Sequence, residues 1–119
     1  MATHNDLGKK GEELAVQFLL KNNYEILERN FRYRKAEVDI IAREADTLIA
    51  VEVKSRSSVY FGNPADFVKP AQIKLLVEAM NYYSEKHDTD LEIRFDIIAI
   101  TKSGSNYEME HITDAFLHF

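Results

Sequence analysis

The chain has 119 residues, 45% of them hydrophobic, with 15 Lys and Arg against 20 Asp and Glu for a formal net charge of −5. That length and apolar content suit a single domain, residues 1–119, with a real core, and the acidic balance argues against a general nucleic-acid binder, which normally shows a basic face. The absence of cysteine excludes a disulfide frame and a thiolate metal site and leads us to expect a reducing compartment, the cytoplasm.

The N-terminus is polar and no apolar run is long enough to span a bilayer, so neither a signal peptide nor a membrane partner is expected. Asn5-Asp6 is placed to cap a first helix, with Asp6 suited to its positive end. Leu7, Leu14, Ala15, Phe18 and Leu19 form one apolar helical face. Gly8 and Gly11 are poor helix residues; either they fray the start or something packs closely there. Glu12 and Glu13 read as solvated helix charges. The helix is expected to end near Asn22-Asn23, where a left-handed residue is tolerated. Tyr24 to Phe31 then reads as a strand. Arg29, Arg32, Arg34 and Lys35 are interleaved with Phe31 and Tyr33. Such a strip can hold a phosphate backbone, and it reads equally well as a solvated edge.

Glu37 to Ala42 and Leu48 to Lys54 are rich in β-branched residues and read as the two arms of a hairpin. The polar stretch Arg43 to Thr47 is its turn. With no Gly or Asn at the tip, a tight two-residue turn is not favoured, and a four-residue loop, Glu44 to Thr47, is expected. A turn centred between Ala45 and Asp46 sets Asp39 opposite Glu52 and Glu37 opposite Lys54, all on one face, with Val51 and Val53 on the other. Opposed like charges destabilise a hairpin. A divalent cation held between Asp39 and Glu52 would offset that cost.

Ser55 to Pro64 is expected to be a loop, from its serines and Gly-Asn-Pro breaker. A second helix follows from about Pro70 to His87, with Ile73, Leu76, Val77, Met80 and Tyr83 as its core stripe and Gln72 in its first turn. Leu91 to Thr101 is a strand, Lys102 to Asn106 a turn, and Tyr107 to Ile112 a short last strand. The order α-β-β-β-α-β-β predicts an α/β domain with a mixed sheet flanked by helices.

Asp39, Glu52 and Lys54 suit phosphodiester hydrolysis. Two carboxylates hold Mg²⁺ or Mn²⁺ against a phosphate oxygen, and the metal acidifies a bound water. Lys54 is placed to orient that water or stabilise charge on the phosphate. Arg32, Arg34, Lys35, Arg56 and Gln72 are the candidate DNA contacts, the four cations supplying local attraction in an acidic chain. The plain alternative is a surface ion-pair ladder of Glu37 with Lys54. The four histidines show no paired spacing, which disfavours zinc.

The chain resembles the PD-(D/E)XK nuclease superfamily and, within it, the YraN family of predicted endonucleases, which are similar to archaeal Holliday-junction resolvases. The resemblance rests on Gly8-x-x-Gly11-Glu12-x-x-Ala15, Asn30-x-Arg32, Glu37-Val38-Asp39-Ile40-Ile41-Ala42, Val51-Glu52-Val53-Lys54-x-Arg56, Phe61-Gly62-x-Pro64 and Arg94-Phe95-Asp96. It implies a restriction-endonuclease-like fold, Asp39 and Glu52 as metal ligands, Lys54 as catalytic lysine, and Glu12 as a further acidic member of the site. Ala36 stands where that family usually has Gly, and Gln72 where Lys is common, which removes one phosphate contact. The expected activity is a metal-dependent DNA endonuclease with a preference for branched or deformed DNA. Symmetric junction cleavage would call for a twofold homodimer. The alternative from another class is a nucleic-acid- or partner-binding module of the same fold without useful catalysis.

Overall fold

The computed structural model describes residues 4–57 and 68–116. The elements are α1 (His4–Lys21), β1 (Glu25–Tyr33), β2 (Ala36–Glu44), β3 (Thr47–Ser57), α2 (Pro70–Lys86), β4 (Glu92–Ser103) and β5 (Asn106–Ile112). The expected α-β-β-β-α-β-β order is present. The strands form one five-stranded sheet in sequence order, antiparallel except for the parallel pair β3–β4. A parallel pair needs a crossover connection, and the segment containing α2 provides it.

The helices lie on opposite faces of the sheet. Ala15 and Leu19 of α1 pack with Ile40, Ala42, Ile49, Val51, Ile98 and Ile100. Leu76, Ala79, Met80 and Tyr83 of α2 pack with Ile41, Leu48, Ala50, Phe95 and Ile97. Strands β2, β3 and β4 are buried on both faces, which explains their near-continuous apolar runs. α1 closes as the sequence predicts. Asn23 takes φ 69°, Tyr24 N–H donates to Leu19 O, and Asn23 N–H donates to Leu20 O, the paired bonds of a Schellman end. Of the two glycines in α1, Gly11 is the one that needs to be small: a Cβ there would collide with Ser55 Oγ on β3, whereas Gly8 faces open space.

Two sequence expectations change. The β2–β3 turn is a tight one of two residues, since Glu44 pairs with Thr47. Ala45 accepts φ 52°, and the tip is held by Arg43 Nε donating to Ala45 O and Glu92 N–H donating to Asp46 O. Ser55, Arg56 and Ser57 continue β3 instead of starting a loop, because β4 runs alongside as far as Ser57↔Lys102. The remainder of the expected loop, 58–64, lies outside the described residues.

One irregularity shapes the site. Residues two apart on a strand share a face, yet Phe31 and Val38 pack on the α2 side, while Arg29 reaches Glu13 of α1 and Ile40 packs beside α1. β1 and β2 therefore change faces together. The change falls at Asn30, with φ 54°, and at Asp39, between the pairs Arg29↔Ile40 and Phe31↔Val38.

Candidate active site

The β2–β3 register is the one the sequence predicts, running from Glu44↔Thr47 to Ile40↔Val51. Just beyond it the Asp39 carboxylate takes the place of the ladder: Val53 N–H donates to Asp39 Oδ2 at 2.8 Å, so Asp39 is held by the backbone of the opposite strand. Val51 and Val53 pack on the α1 side, while Glu52 turns to α2, where Gln72 Nε2 donates to its Oε2 at 3.0 Å.

Asp39 and Glu52 line one pocket of about 230 Å³ with Lys35, Ala36, Glu37, Gln72, Leu75 and Leu76. Glu52 is 4% exposed, and its Oε1 is buried without a hydrogen-bond partner. Burial pushes the Asp39 carboxyl up to about 6; the Val53 N–H opposes this, the charge of Glu12 adds to it, and Lys54 opposes it. Burial pushes Glu52 up to about 8, reinforced by the charge of Asp39 and opposed by Lys54. Lys54 therefore acts on both carboxylates, and Glu12 reaches the site electrostatically from α1. Glu12 is not a solvated helix charge: its Oε1 is buried and lacks a hydrogen-bond partner.

The candidate DNA contacts are not all brought together. Lys35 lines the pocket. Arg32 is ion-paired to Glu37 at 3.0 Å; among the described residues Glu37 makes no ion pair with Lys54, so the alternative ion-pair ladder does not form. Arg34, at φ 57° in the β1–β2 turn, lies over the Tyr33 ring at 5.1 Å and lines a separate hollow with Tyr82, Glu78 and Glu85. Phe31 and Tyr33 are occupied by Tyr83 and Tyr82 of α2. Arg56 is half-buried near the end of β3. Gln72 serves Glu52 directly. Among the described residues no group of three or more His, Cys, Asp or Glu side chains converges to hold a metal ion, so a cation here would rest on Asp39 and Glu52.

A second polar centre lies on the α1 face. Asp96 is fully buried and accepts from Arg94 Nε and Nη2 at 2.9 and 2.8 Å and from the Asp114 N–H at 3.0 Å. His111 Nε2 is 2.8 Å from Asp96 Oδ2, and Arg94 also reaches Tyr24 Oη. Burial alone would raise the Asp96 carboxyl, but the bonds from His111, Arg94 and Asp114 hold it below the ordinary range. This centre ties β4 to β5 and to the chain beyond β5. The opposite charges at positions 94 and 96 were its only sequence signal.

No described helix is long and apolar enough to cross a membrane. Residues 11–100 match the model of the Uncharacterised protein family UPF0102. The chain is 62% identical to a UPF0102 protein of Christiangramia forsetii and 59% identical to one of Flavobacterium psychrophilum, each over the whole of both chains. It is 44% identical to a UPF0102 protein of Geobacter metallireducens over 98% of this chain and 97% of that one. The chain therefore belongs to the UPF0102 family, the YraN family that its motifs resemble.

Proposed function

We propose that the protein is a metal-dependent DNA endonuclease of the PD-(D/E)XK type. The observation that carries this reading is the Asp39–Glu52 pair, two carboxylates drawn into one pocket with Glu52 Oε1 left without a partner. Burying two like charges together is costly unless a proton or a cation neutralises them. Oxygen donors of this kind fit a hard divalent ion, and a carboxylate pair plus a substrate phosphate is a usual Mg²⁺ environment. Asp39 and Glu52 would hold Mg²⁺ or Mn²⁺, which when bound supplies Lewis-acid assistance and an acidified water.

The protein's own groups account for the rest. Val53 N–H and Gln72 fix the two carboxylates, so little reorganisation is needed when substrate enters. Lys54, close enough to shift both acids, donates to a phosphate oxygen as negative charge builds up there. Lys35, at the pocket wall, supplies a cation for a neighbouring phosphate. In an acidic chain such local contacts replace long-range attraction, so branched or deformed DNA is the proposed substrate class. Paired cuts on a four-way junction need two sites, which a twofold homodimer supplies.

A second reading is a nucleic-acid- or partner-binding module without useful catalysis. It is favoured by the lack of a third converging ligand among the described residues and by the net charge of −5. Incubating the protein with linear, single-stranded, flapped and four-way DNA, with Mg²⁺ or Mn²⁺ and with chelator, separates the two. Metal-dependent cleavage supports the nuclease; binding without cleavage under every metal condition supports the module.

A further inference from the structure

The tip of the β1–β2 hairpin extends past the rest of the sheet. β2 pairs with β3 from Ile40 to Glu44, whereas its pairing with β1 continues through Phe31↔Val38 and Arg32↔Glu37 to Tyr33↔Ala36. Beyond the face change at Asn30 and Asp39, the two arms lean on each other and on α2. Ala36 and Val38 seat the β2 arm in the α2 core. The β1 arm is the edge of the sheet, and it meets α2 through rings. Tyr33 stacks on Tyr82 with centroids 4.2 Å apart and planes 20° apart. Phe31 lies over the same Tyr82 ring at 6.4 Å and meets Tyr83 edge-on at 5.3 Å.

The two cations of the turn have different surroundings. Arg34, at φ 57°, folds back over the Tyr33 ring at 5.1 Å. It shares a hollow of about 250 Å³ with Tyr33, Tyr82, Asn81 and the carboxylates of Glu78 and Glu85, which offset its charge. Lys35, next in the chain, lines the Asp39–Glu52 pocket together with Gln72, Leu75 and Leu76 of α2. One wall of that pocket is thus the turn, and another is the start of α2. Tyr82 follows Leu75 by two helical turns, about 10 Å at ~1.5 Å per residue. The spacing between turn and helix is therefore set close to the pocket, where Tyr33 meets Tyr82.

We infer that Tyr82 is a positioning residue: with Tyr33 and Arg34 it clasps the hairpin tip to α2, and so holds Lys35 at the carboxylate pocket. This rests on the nuclease reading, in which Lys35 meets a phosphate of the DNA. Offset-stacked rings have a preferred separation, so the clasp fixes a distance that an edge strand alone would leave free. Arg34 serves the clasp and not the DNA. Asp39 and Glu52 are held independently, by Val53 N–H and by Gln72. Loss of Tyr82 therefore removes a DNA contact and leaves metal binding intact.

The test uses the full chain with fluorescein-labelled linear duplex and four-way DNA, binding being read by anisotropy in chelator across a salt series. Melting with and without Mn²⁺, and cleavage in Mn²⁺, are measured alongside. Lys35→Ala should lower the salt slope by ~0.9, one phosphate contact on duplex, and weaken binding about 5-fold or more at low salt. Tyr82→Ala should do the same although it removes no charge, raise KM, and keep the parent's stabilisation by Mn²⁺. The double variant should fall no further, and Tyr82→Phe, which keeps the ring, should restore the parent. Arg34→Asn, chosen because Asn tolerates a left-handed φ, should add no loss to Tyr82→Ala. A purely structural role would lower the melting temperature without moving the salt slope. Tyr82→Gln, a good helix former without a ring, takes the place of Tyr82→Ala if that variant does not fold. If the parent binds and cuts DNA while the ringless variant keeps the parent's slope, the inference is overturned and the nuclease reading stands. If Arg34→Asn lowers the slope of Tyr82→Ala by a further ~0.9, Arg34 touches DNA and its part in the clasp is overturned. If the parent neither binds nor cuts any of the DNAs, both fall.

Discussion

The Val53 N–H donates to Asp39 Oδ2 at 2.8 Å across the β2–β3 pair, just past Ile40↔Val51, where their regular pairing ends. A side chain thus takes the place of a main-chain acceptor, and Asp39 is held in the same pocket as Glu52. The arrangement is costly without a counter-ion, and the cost depends on pH.

Both carboxyls are raised in the folded protein, Asp39 from 3.8 to about 6 and Glu52 from 4.5 to about 8. A raised folded value means that the folded state holds protons the unfolded chain would release. Stability is then greatest below the unfolded values and falls as pH rises through the folded ones. In chelator, the melting temperature should drop by about 5 °C or more between pH 5 and pH 8.5. Asp39→Asn should flatten this slope. A parent melting curve that does not move, or that rises, over this range contradicts the raised values.

Gln72 holds Glu52 Oε2 at 3.0 Å, so its first effect is on the carboxylate and not on DNA. Gln72→Leu should weaken Mn²⁺ binding about 10-fold, the lower end for partners that orient a ligand. Calorimetric titration of Mn²⁺ measures this. Unchanged metal affinity with weaker DNA binding would return Gln72 to the role of DNA contact expected from the sequence.

Lys54 is coupled to both acids but has no lone pair to offer a metal while charged. Lys54→Met should retain stabilisation by Mn²⁺ and lose cleavage, a drop of about 100-fold or more, as for loss of a group that stabilises transition-state charge. Full cleavage by Lys54→Met would remove Lys54 from the chemistry even if the metal site is right.

Asp96 is structural. Asp96→Ala strands Arg94 and His111 and should destabilise the protein by about 3 kcal/mol, the lower end for breaking a buried pair, because Arg94 keeps 24% of its side chain exposed. Urea unfolding at pH 7 gives the value. The Asp96 carboxyl is lowered on folding, so its contribution is full above the ordinary carboxylate range and is lost as pH falls below it. A variant within 0.5 kcal/mol of the parent, about the size of an ordinary surface change, would show that the centre does not brace β4 against β5.

Much of this was legible because alternation and turn position are local. A turn at Ala45-Asp46 sets Asp39 beside Glu52, and Asn23 marks the end of α1. The tight turn itself was not legible, because alanine rarely adopts a left-handed φ and does so here under bonds from Arg43 and Glu92. Ser55 to Ser57 read as loop because their composition carries no trace of β4, the partner that keeps them extended. The face change at Asn30 and Asp39 leaves no periodic signal. The Asp96 centre gathers Tyr24, Arg94, His111 and Asp114, whose meeting is set by the sheet order alone. Glu12 looked solvated because its burial depends on how closely Gly11 lets α1 approach β3.

The most direct test is a thermal melt of parent and Asp39→Asn at pH 8, each with millimolar Mn²⁺ and with chelator, beside a DNA-cleavage assay. The parent should gain about 2.7 kcal/mol at a hundredfold excess of metal over Kd and cut DNA only with metal. Asp39→Asn should be at least as stable as the parent in chelator, gain nothing from Mn²⁺ and cut nothing. A parent that melts at the same temperature in Mn²⁺ and in chelator, and cuts no DNA, would contradict the metal-dependent site.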